Sequence, residues 1–235
     1  MKKEELTIGI LGGMGTYATI HLFKQYAEIF PAEKEWERPR IIIDNRCTMP
    51  SRVRAFLYHE NVDRLVEEMT ESMQNLLNSG CNRIVLACNT SHLFLPAIYQ
   101  RVPALEKSVV NIIDSCVKQI NEDGVKEVFL LGSEGTIDSG VYHSALKARG
   151  INCIVPKQEE YSELRECIEA VKQNVYSNKV KREFVDLVNQ YHTCILGCTE
   201  LPILCEKYKD EITCEKIYDP LYSALHEIKK EYINA

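Results

Sequence analysis

One strand-and-turn pattern occurs twice in this chain, and it limits the possible folds more than any other feature. Ile8-Gly9-Ile10-Leu11-Gly12-Gly13-Met14-Gly15-Thr16 is matched further on by Val128-Phe129-Leu130-Leu131-Gly132-Ser133-Glu134-Gly135-Thr136. In each copy a short apolar run, of the kind buried on both faces of a parallel sheet, meets glycines that let the chain turn into a helix. The separation is far longer than a solenoid repeat, so the pattern implies two related units rather than an array. A second correspondence reinforces the first. Cys88 follows Arg83-Ile84-Val85-Leu86-Ala87, and Cys198 follows Cys194-Ile195-Leu196-Gly197. Each cysteine closes an apolar run and precedes residues that favour a helix start.

Strand-like runs at Thr7–Leu11, Arg40–Asp44, Arg83–Ala87, Val109–Ile113, Glu127–Leu131, Asn152–Val155 and Thr193–Leu196 alternate with helical stretches. The helical candidates are Ala18–Glu28, Val62–Ser79, Asp114–Glu122, Gly140–Ala148, Tyr161–Asn174, Lys179–Tyr191 and Leu221–Tyr232. The helical period is plainest where Val62, Leu65, Val66, Met69, Met73, Leu76 and Leu77 share one side. This alternation predicts an α/β protein of two Rossmann-like lobes with mainly parallel sheets, related by a pseudo-twofold axis. A ligand site is expected in the interlobe cleft, at the C-terminal ends of the strands. The first lobe is expected to comprise residues 1–112 plus 215–235, which carry the C-terminal helix, and the second residues 113–214. Pro31–Pro39, around the single Trp36, reads as a solvated connection.

Composition narrows the function. At 235 residues, 45% hydrophobic and 26% charged, the chain can bury a full core without staples. A formal charge of −6 argues against nucleic acid or an anionic membrane as partner, since both reward a basic surface. Glu4 and Glu5 follow Met1-Lys2-Lys3, and Gly12 soon breaks the apolar run, which is unlike an export signal. No stretch approaches the roughly 18 apolar residues of a membrane helix, so a cytoplasmic protein is expected. Its ten cysteines are therefore expected to be reduced. Cys194-x-x-x-Cys198 has no second pair or histidine at zinc spacing, and no metal site is expected.

Gly12-Gly13-Met14-Gly15 does not have the spacing of a dinucleotide loop, and Asp44 comes too late to serve as its acidic partner. Those glycines better suit a sharp turn that brings backbone N–H groups to an anionic ligand. For Cys88 or Cys198 alone, a small buried hydrophobe at a strand end is an adequate account. Their shared placement, each with polar residues following, points instead to a pair of reactive thiols. His92, one helical turn beyond Cys88, either supports that thiol or is an ordinary helix histidine.

Four segments in order resemble a known family. Ile8-Gly9-Ile10-Leu11-Gly12-Gly13-Met14-Gly15, Cys88-Asn89-Thr90-Ser91-His92, Gly135-Thr136-Ile137-x-Ser139-Gly140 and Gly197-Cys198-Thr199-Glu200-Leu201 are similar to the cofactor-independent aspartate/glutamate racemases, most closely their aspartate branch. The resemblance spans nearly the whole chain. It implies a racemase of acidic amino acids that needs no cofactor and works as a homodimer. Cys88 and Cys198 would stand on opposite faces of the α-carbon, one removing a proton while the other delivers one, with Cys88 serving the D-enantiomer and Cys198 the L-enantiomer. Asn89, Thr90 and Thr199 would contact the α-carboxylate and amine, with Met14, Asn45 and Glu200 completing the substrate contacts. Arg52, in Met49-Pro50-Ser51-Arg52, matches the family arginine that takes the distal carboxylate, and Lys172 matches a second cation.

The chain departs from the family pattern in places. Arg46 and Cys47 follow Asn45 where Asn-Pro is usual, Thr16 replaces a proline, Val53 replaces a threonine, and Asn174 stands where glycine is common. These changes bear on substrate choice rather than on the two thiols. Two other readings remain open from sequence. One is a lyase or isomerase resembling arylmalonate decarboxylase or maleate isomerase, and the other is a noncatalytic amino-acid-binding protein.

Overall fold

A computed structural model describes residues 6–233. The charged opening 1–5, used above against an export signal, and residues 234–235 lie outside that range. Three strands, β1 (Thr7–Gly12), β2 (Arg40–Asn45) and β3 (Arg83–Leu86), form a parallel sheet in the order β2-β1-β3. Four more, β4 (Glu127–Gly132), β5 (Asn152–Ile154), β6 (Thr193–Gly197) and β7 (Lys216–Tyr218), form a second parallel sheet in the order β5-β4-β6-β7. The repeated sequence pattern is therefore a repeated topology. β1 and β4 are the equivalent inner strands, and β3 and β6, the strands that lead to Cys88 and Cys198, lie beside them. The expected α/β architecture of two parallel lobes is what the chain adopts.

Eleven α-helices connect the strands among the described residues: α1 (Thr16–Ile29), α2 (Arg52–Tyr58), α3 (Val62–Asn78), α4 (Leu95–Arg101), α5 (Ile112–Glu122), α6 (Glu134–Asp138), α7 (Val141–Lys147), α8 (Tyr161–Gln173), α9 (Asn178–Val188), α10 (Leu201–Lys207) and α11 (Pro220–Ile233). The period-two alternation of strand side chains divides the first lobe's core. Ile84 and Leu86 face α3, where they meet Leu65, Met69 and Met73. Val85 and Ala87 face the other way, into a cluster that runs through α5 and α11 to the second sheet. Full burial of each large aliphatic side chain contributes about 1.5–3 kcal/mol, so this continuous cluster is what holds the lobes together.

Two elements differ from the sequence expectation. Val109–Ile113 is not a strand: Val109 makes a single parallel bridge to Ile84, and the chain then enters α5. Asn111 is the reason, because its Oδ1 accepts from the backbone N–H of Ile113 and Asp114 at 3.0 and 3.4 Å and starts the helix there. The segment after residue 215 does not pass straight to the first lobe. Lys216–Tyr218 first pairs with Thr193–Ile195 in the second sheet, and only then does α11 pack across α5 and α1. Trp36 is 80% exposed in a 3-10 turn, as a solvated connection requires. Among the described residues no helix is long and apolar enough to cross a membrane.

Candidate active site at the lobe interface

Cys88 lies two residues beyond β3 and Cys198 one residue beyond β6, so parallel pairing with β1 and β4 brings both to the same ends of their sheets. A narrow cavity of about 60 Å³ lies between the lobes. Met14, Arg52, Cys88, Asn89, Thr90, Lys172, Cys198, Thr199 and Glu200 all line it. Nine of the ten residues singled out from sequence thus share one cavity. Asn45 is the exception. It is exposed at the end of β2, where its amide donates to Thr16 Oγ1 and Cys47 Sγ at 3.2 and 3.1 Å. Arg46, one of the departures from the family pattern, is also engaged elsewhere, pairing with Glu71 at 2.8 Å and Glu68 at 3.6 Å on α3.

Hydroxyl groups join the lobes around the thiols. Thr90 Oγ1 lies 3.1 Å from Ser133 Oγ and 3.0 Å from Thr136 Oγ1, and those two are 3.1 Å apart. Thr199 Oγ1 donates to the Ala87 carbonyl at 3.2 Å, tying the end of β6 to the end of β3. Gly135 permits this approach, since a Cβ there would lie 3.0 Å from Thr90 Cγ2. Ser133, which caps α6, and Thr136 were not identified from sequence. Their positions in the second copy of the glycine pattern, opposite the loop containing Met14, were the available signal.

The Cys198 thiol donates to Glu200 Oε2 at 3.0 Å. Burial, and then the negative charge of Glu200, push this thiol well above the ordinary cysteine range, so it holds its proton at rest. Burial also raises Glu200, opposed by the thiol hydrogen bond, Lys172 and Arg52. For Lys172, burial works against the charge, but its 2.7 Å bond to Glu169 and the negative charge of Glu200 outweigh it and raise the pKa. Gly15 makes room for this cluster, because a Cβ there would stand 2.7 Å from Glu200 Oε1.

Arg52 is oriented by backbone: its terminal nitrogens donate to the carbonyls of Met14 at 2.8 Å and Pro50 at 3.0 Å. Asn89 is oriented by Tyr142, a fully buried residue whose hydroxyl donates to Asn89 Oδ1 at 2.5 Å. Sequence reasoning did not identify Tyr142, which lies 53 residues from Asn89. Around the cavity, three buried side-chain atoms have no hydrogen-bond partner: Arg52 Nε, Asn89 Nδ2 and Glu200 Oε1. His92 does not address the Cys88 thiol. Its Nδ1 lies 2.9 Å from the Cys88 carbonyl, and its Nε2 receives the Ile112 N–H at 3.4 Å. Burial lowers its pKa to about 4, so it is a neutral brace for the strand end.

Comparison with known proteins agrees with this architecture. The chain is 26% identical over 213 residues to the broad specificity amino-acid racemase RacX of Bacillus subtilis, covering 87% of this chain and 90% of the relative. An aspartate racemase from Picrophilus torridus superposes with a TM-score of 0.75 at 26% identity, over 97% of this chain and 98% of that one. An aspartate racemase homologue from Pyrococcus horikoshii OT3 superposes with a TM-score of 0.73 at 25% identity, over 97% and 99%. The Asp/Glu/Hydantoin racemase family model matches residues 11–227, both lobes and both cysteines included, and the chain belongs to that family.

Proposed function

We propose that this protein is a cofactor-independent racemase that inverts the α-carbon of acidic amino acids, aspartate ahead of glutamate, by proton transfer between Cys88 and Cys198. The observation that carries this reading is the set of unpartnered atoms beside the thiols. Arg52 Nε and Asn89 Nδ2 are donors, whereas Glu200 Oε1 is an acceptor. A bound amino acid offers the complement, with carboxylate oxygens for the donors and an ammonium group for the acceptor. Each such buried group left unpaired costs about 1–3 kcal/mol, so a ligand that pairs all three is strongly favoured.

In the proposed step a Cys88 thiolate removes the α-proton and becomes the thiol, while the Cys198 thiol delivers its own proton to the opposite face and becomes the thiolate. The roles exchange in the other direction. Charge developing on the α-carboxylate is held by Asn89 Nδ2 and by the Thr90 hydroxyl, which line the same cavity, while Thr199 ties the two strand ends together beside them. Glu200 keeps the Cys198 proton in line. Arg52 and Lys172 supply positive charge for a distal carboxylate. A homodimer is part of this reading, and Tyr17, Ile20 and Phe23, exposed along α1, are apolar surface for it to cover.

The test is incubation with each enantiomer of aspartate and glutamate in deuterium oxide without added cofactor. Both enantiomers are expected to gain α-deuterium and lose optical rotation, and Cys88→Ser or Cys198→Ser is expected to stop racemisation. Turnover of a malonate or maleate without α-exchange would indicate a lyase or isomerase. Saturable binding with no exchange would indicate a binding protein.

A further inference from the structure

Away from the interlobe cavity, three cysteines of the second lobe gather around the start of β6: Cys194 on that strand, Cys205 on α10 and Cys214 just before β7. All three are free thiols, and none lines the cavity that holds Cys88 and Cys198. Proton transfer there leaves them unused.

Cys194 and Cys214 are anchored at one point, the end of α9. Cys194 Sγ lies 3.4 Å from the carbonyl of Val188, the last residue of that helix. The next residue, Asn189, accepts through Oδ1 from the backbone N–H of Thr213 and Cys214 at 2.7 and 3.3 Å. β6 and β7 then run in register, with Cys194 opposite Ile217. The chain bends at Glu215, which turns Cys214 Sγ back to 3.5 Å from the Lys216 carbonyl. The two sulfurs meet there in a hydrogen bond between thiols.

We infer that Cys194 and Cys214 form a peroxide-reactive dithiol, in which Cys214 is oxidised first and Cys194 then closes a disulfide that joins β6 to the segment entering β7. The two positions suit these different roles. Cys194 is fully buried and Cys214 half-buried, so a molecule as small as hydrogen peroxide meets Cys214 first. The hydrogen bond from Cys194 holds the Cys214 thiol below the ordinary cysteine range in spite of burial, while the same bond and burial raise Cys194. The thiolate therefore resides on Cys214, and the thiolate is the nucleophile.

The chemistry balances with hydrogen peroxide as the oxidant. The Cys214 thiolate attacks one peroxide oxygen, the O–O bond breaks, and the departing hydroxide takes a proton from solvent to become water. Cys214 is left as the sulfenic acid, which condenses with a neighbouring thiol. The Cys194 sulfur attacks the Cys214 sulfur, the S–O bond breaks, and the Cys194 proton leaves with the hydroxide as a second water. Two thiols lose two electrons, and one peroxide is reduced to two waters. The inference does not depend on the racemase reading.

The experiment treats the full-length protein, reduced and then freed of reductant, with hydrogen peroxide at neutral pH and maps its cysteines by mass spectrometry of non-reducing digests. Wild type is expected to gain a linked Cys194–Cys214 peptide pair, two hydrogen atoms lighter than the separate peptides, and to lose it on treatment with dithiothreitol. Cys205→Ala is expected to leave the link in place. Cys194→Ala is expected to abolish it and to let dimedone trap the sulfenic acid on Cys214. Linkage of Cys214 to Cys205 instead overturns the inference. So does oxidation of Cys214 to the sulfinic acid in wild type with no link formed, or survival of both thiols under conditions that oxidise the exposed Cys47. The wild-type map decides between these outcomes even if Cys194→Ala does not fold.

Discussion

Glu200 Oε2 lies 3.0 Å from Cys198 Sγ and accepts its thiol proton, which places a buried carboxylate directly behind one of the two thiols of the interlobe cavity. Removing that carboxylate has opposite effects on the thiol and on turnover. Its negative charge is part of what raises the Cys198 pKa, so Glu200→Gln is expected to lower that pKa and speed alkylation of Cys198 at neutral pH. A Cys198 that loses its proton sooner stops acting as an acid sooner, and the alkaline limb of the kcat/KM profile is expected to move to lower pH. The fall in kcat is expected near the lower end of the about 10²–10⁴-fold range for acid-base groups. Rates of alkylation mapped by mass spectrometry, with a pH-rate profile, check both effects.

Gly15→Ala separates function from stability. The backbone at Gly15 has φ −122°, which alanine adopts without strain. The added Cβ would nevertheless stand 2.7 Å from Glu200 Oε1, so the carboxylate must move. Stability is expected to change by no more than about 1 kcal/mol. Displacement of a group this close to the chemistry is expected to cost up to about 10²-fold in kcat/KM. Urea unfolding and steady-state kinetics on the same preparation make the comparison, and a large stability loss with intact kinetics would contradict it.

Tyr142→Phe tests the support for Asn89. The variant leaves Asn89 Oδ1 without its 2.5 Å donor in a fully buried setting, at a cost of about 1–3 kcal/mol. The freed amide can rotate and point its oxygen, instead of its NH₂, at the cavity. KM is therefore expected to rise more than kcat falls. A lower melting temperature with unchanged KM would show that Tyr142 supports the fold but not the site.

His92 makes stability depend on pH. Its pKa is about 4 when folded, below the ordinary 6.5, so the unfolded chain binds the extra proton first. The stability contributed by neutral His92 is complete above about pH 6.5 and is lost as pH falls toward 4, amounting to about 3 kcal/mol. His92→Gln is expected to flatten this part of the profile, as measured by urea unfolding at pH 7, 5.5 and 4.5.

Much of the fold was legible because its information is local. The apolar run and glycine turn of residues 8–16, repeated at 128–136, give the two inner strands and the helices that follow. Val109–Ile113 was misread because its apolar residues suit a strand, while the capping preference of Asn111 decides the outcome. Lys216–Tyr218 was missed because a three-residue edge strand with a charged first residue carries little periodic signal. The thiols and their polar neighbours could be read from adjacent positions. Tyr142 could not, since its effect on Asn89 exists only once α7 packs beneath the strand end. Asn45 was included as a substrate contact that the family resemblance implies, but the chain turns it toward Thr16 and Cys47.

The carboxylate behind Cys198 gives an asymmetric protein a reaction whose two ends are mirror images. Enantiomers have equal free energy in water, so their equilibrium constant is one. The Haldane relation therefore fixes the two values of kcat/KM as equal, whatever Glu200 does to either thiol. Any preference that Glu200 creates must appear as a tighter KM and a proportionately slower kcat for the same enantiomer. Substitutions at this position can redistribute occupancy between the two bound forms, but they cannot make the enzyme run one way.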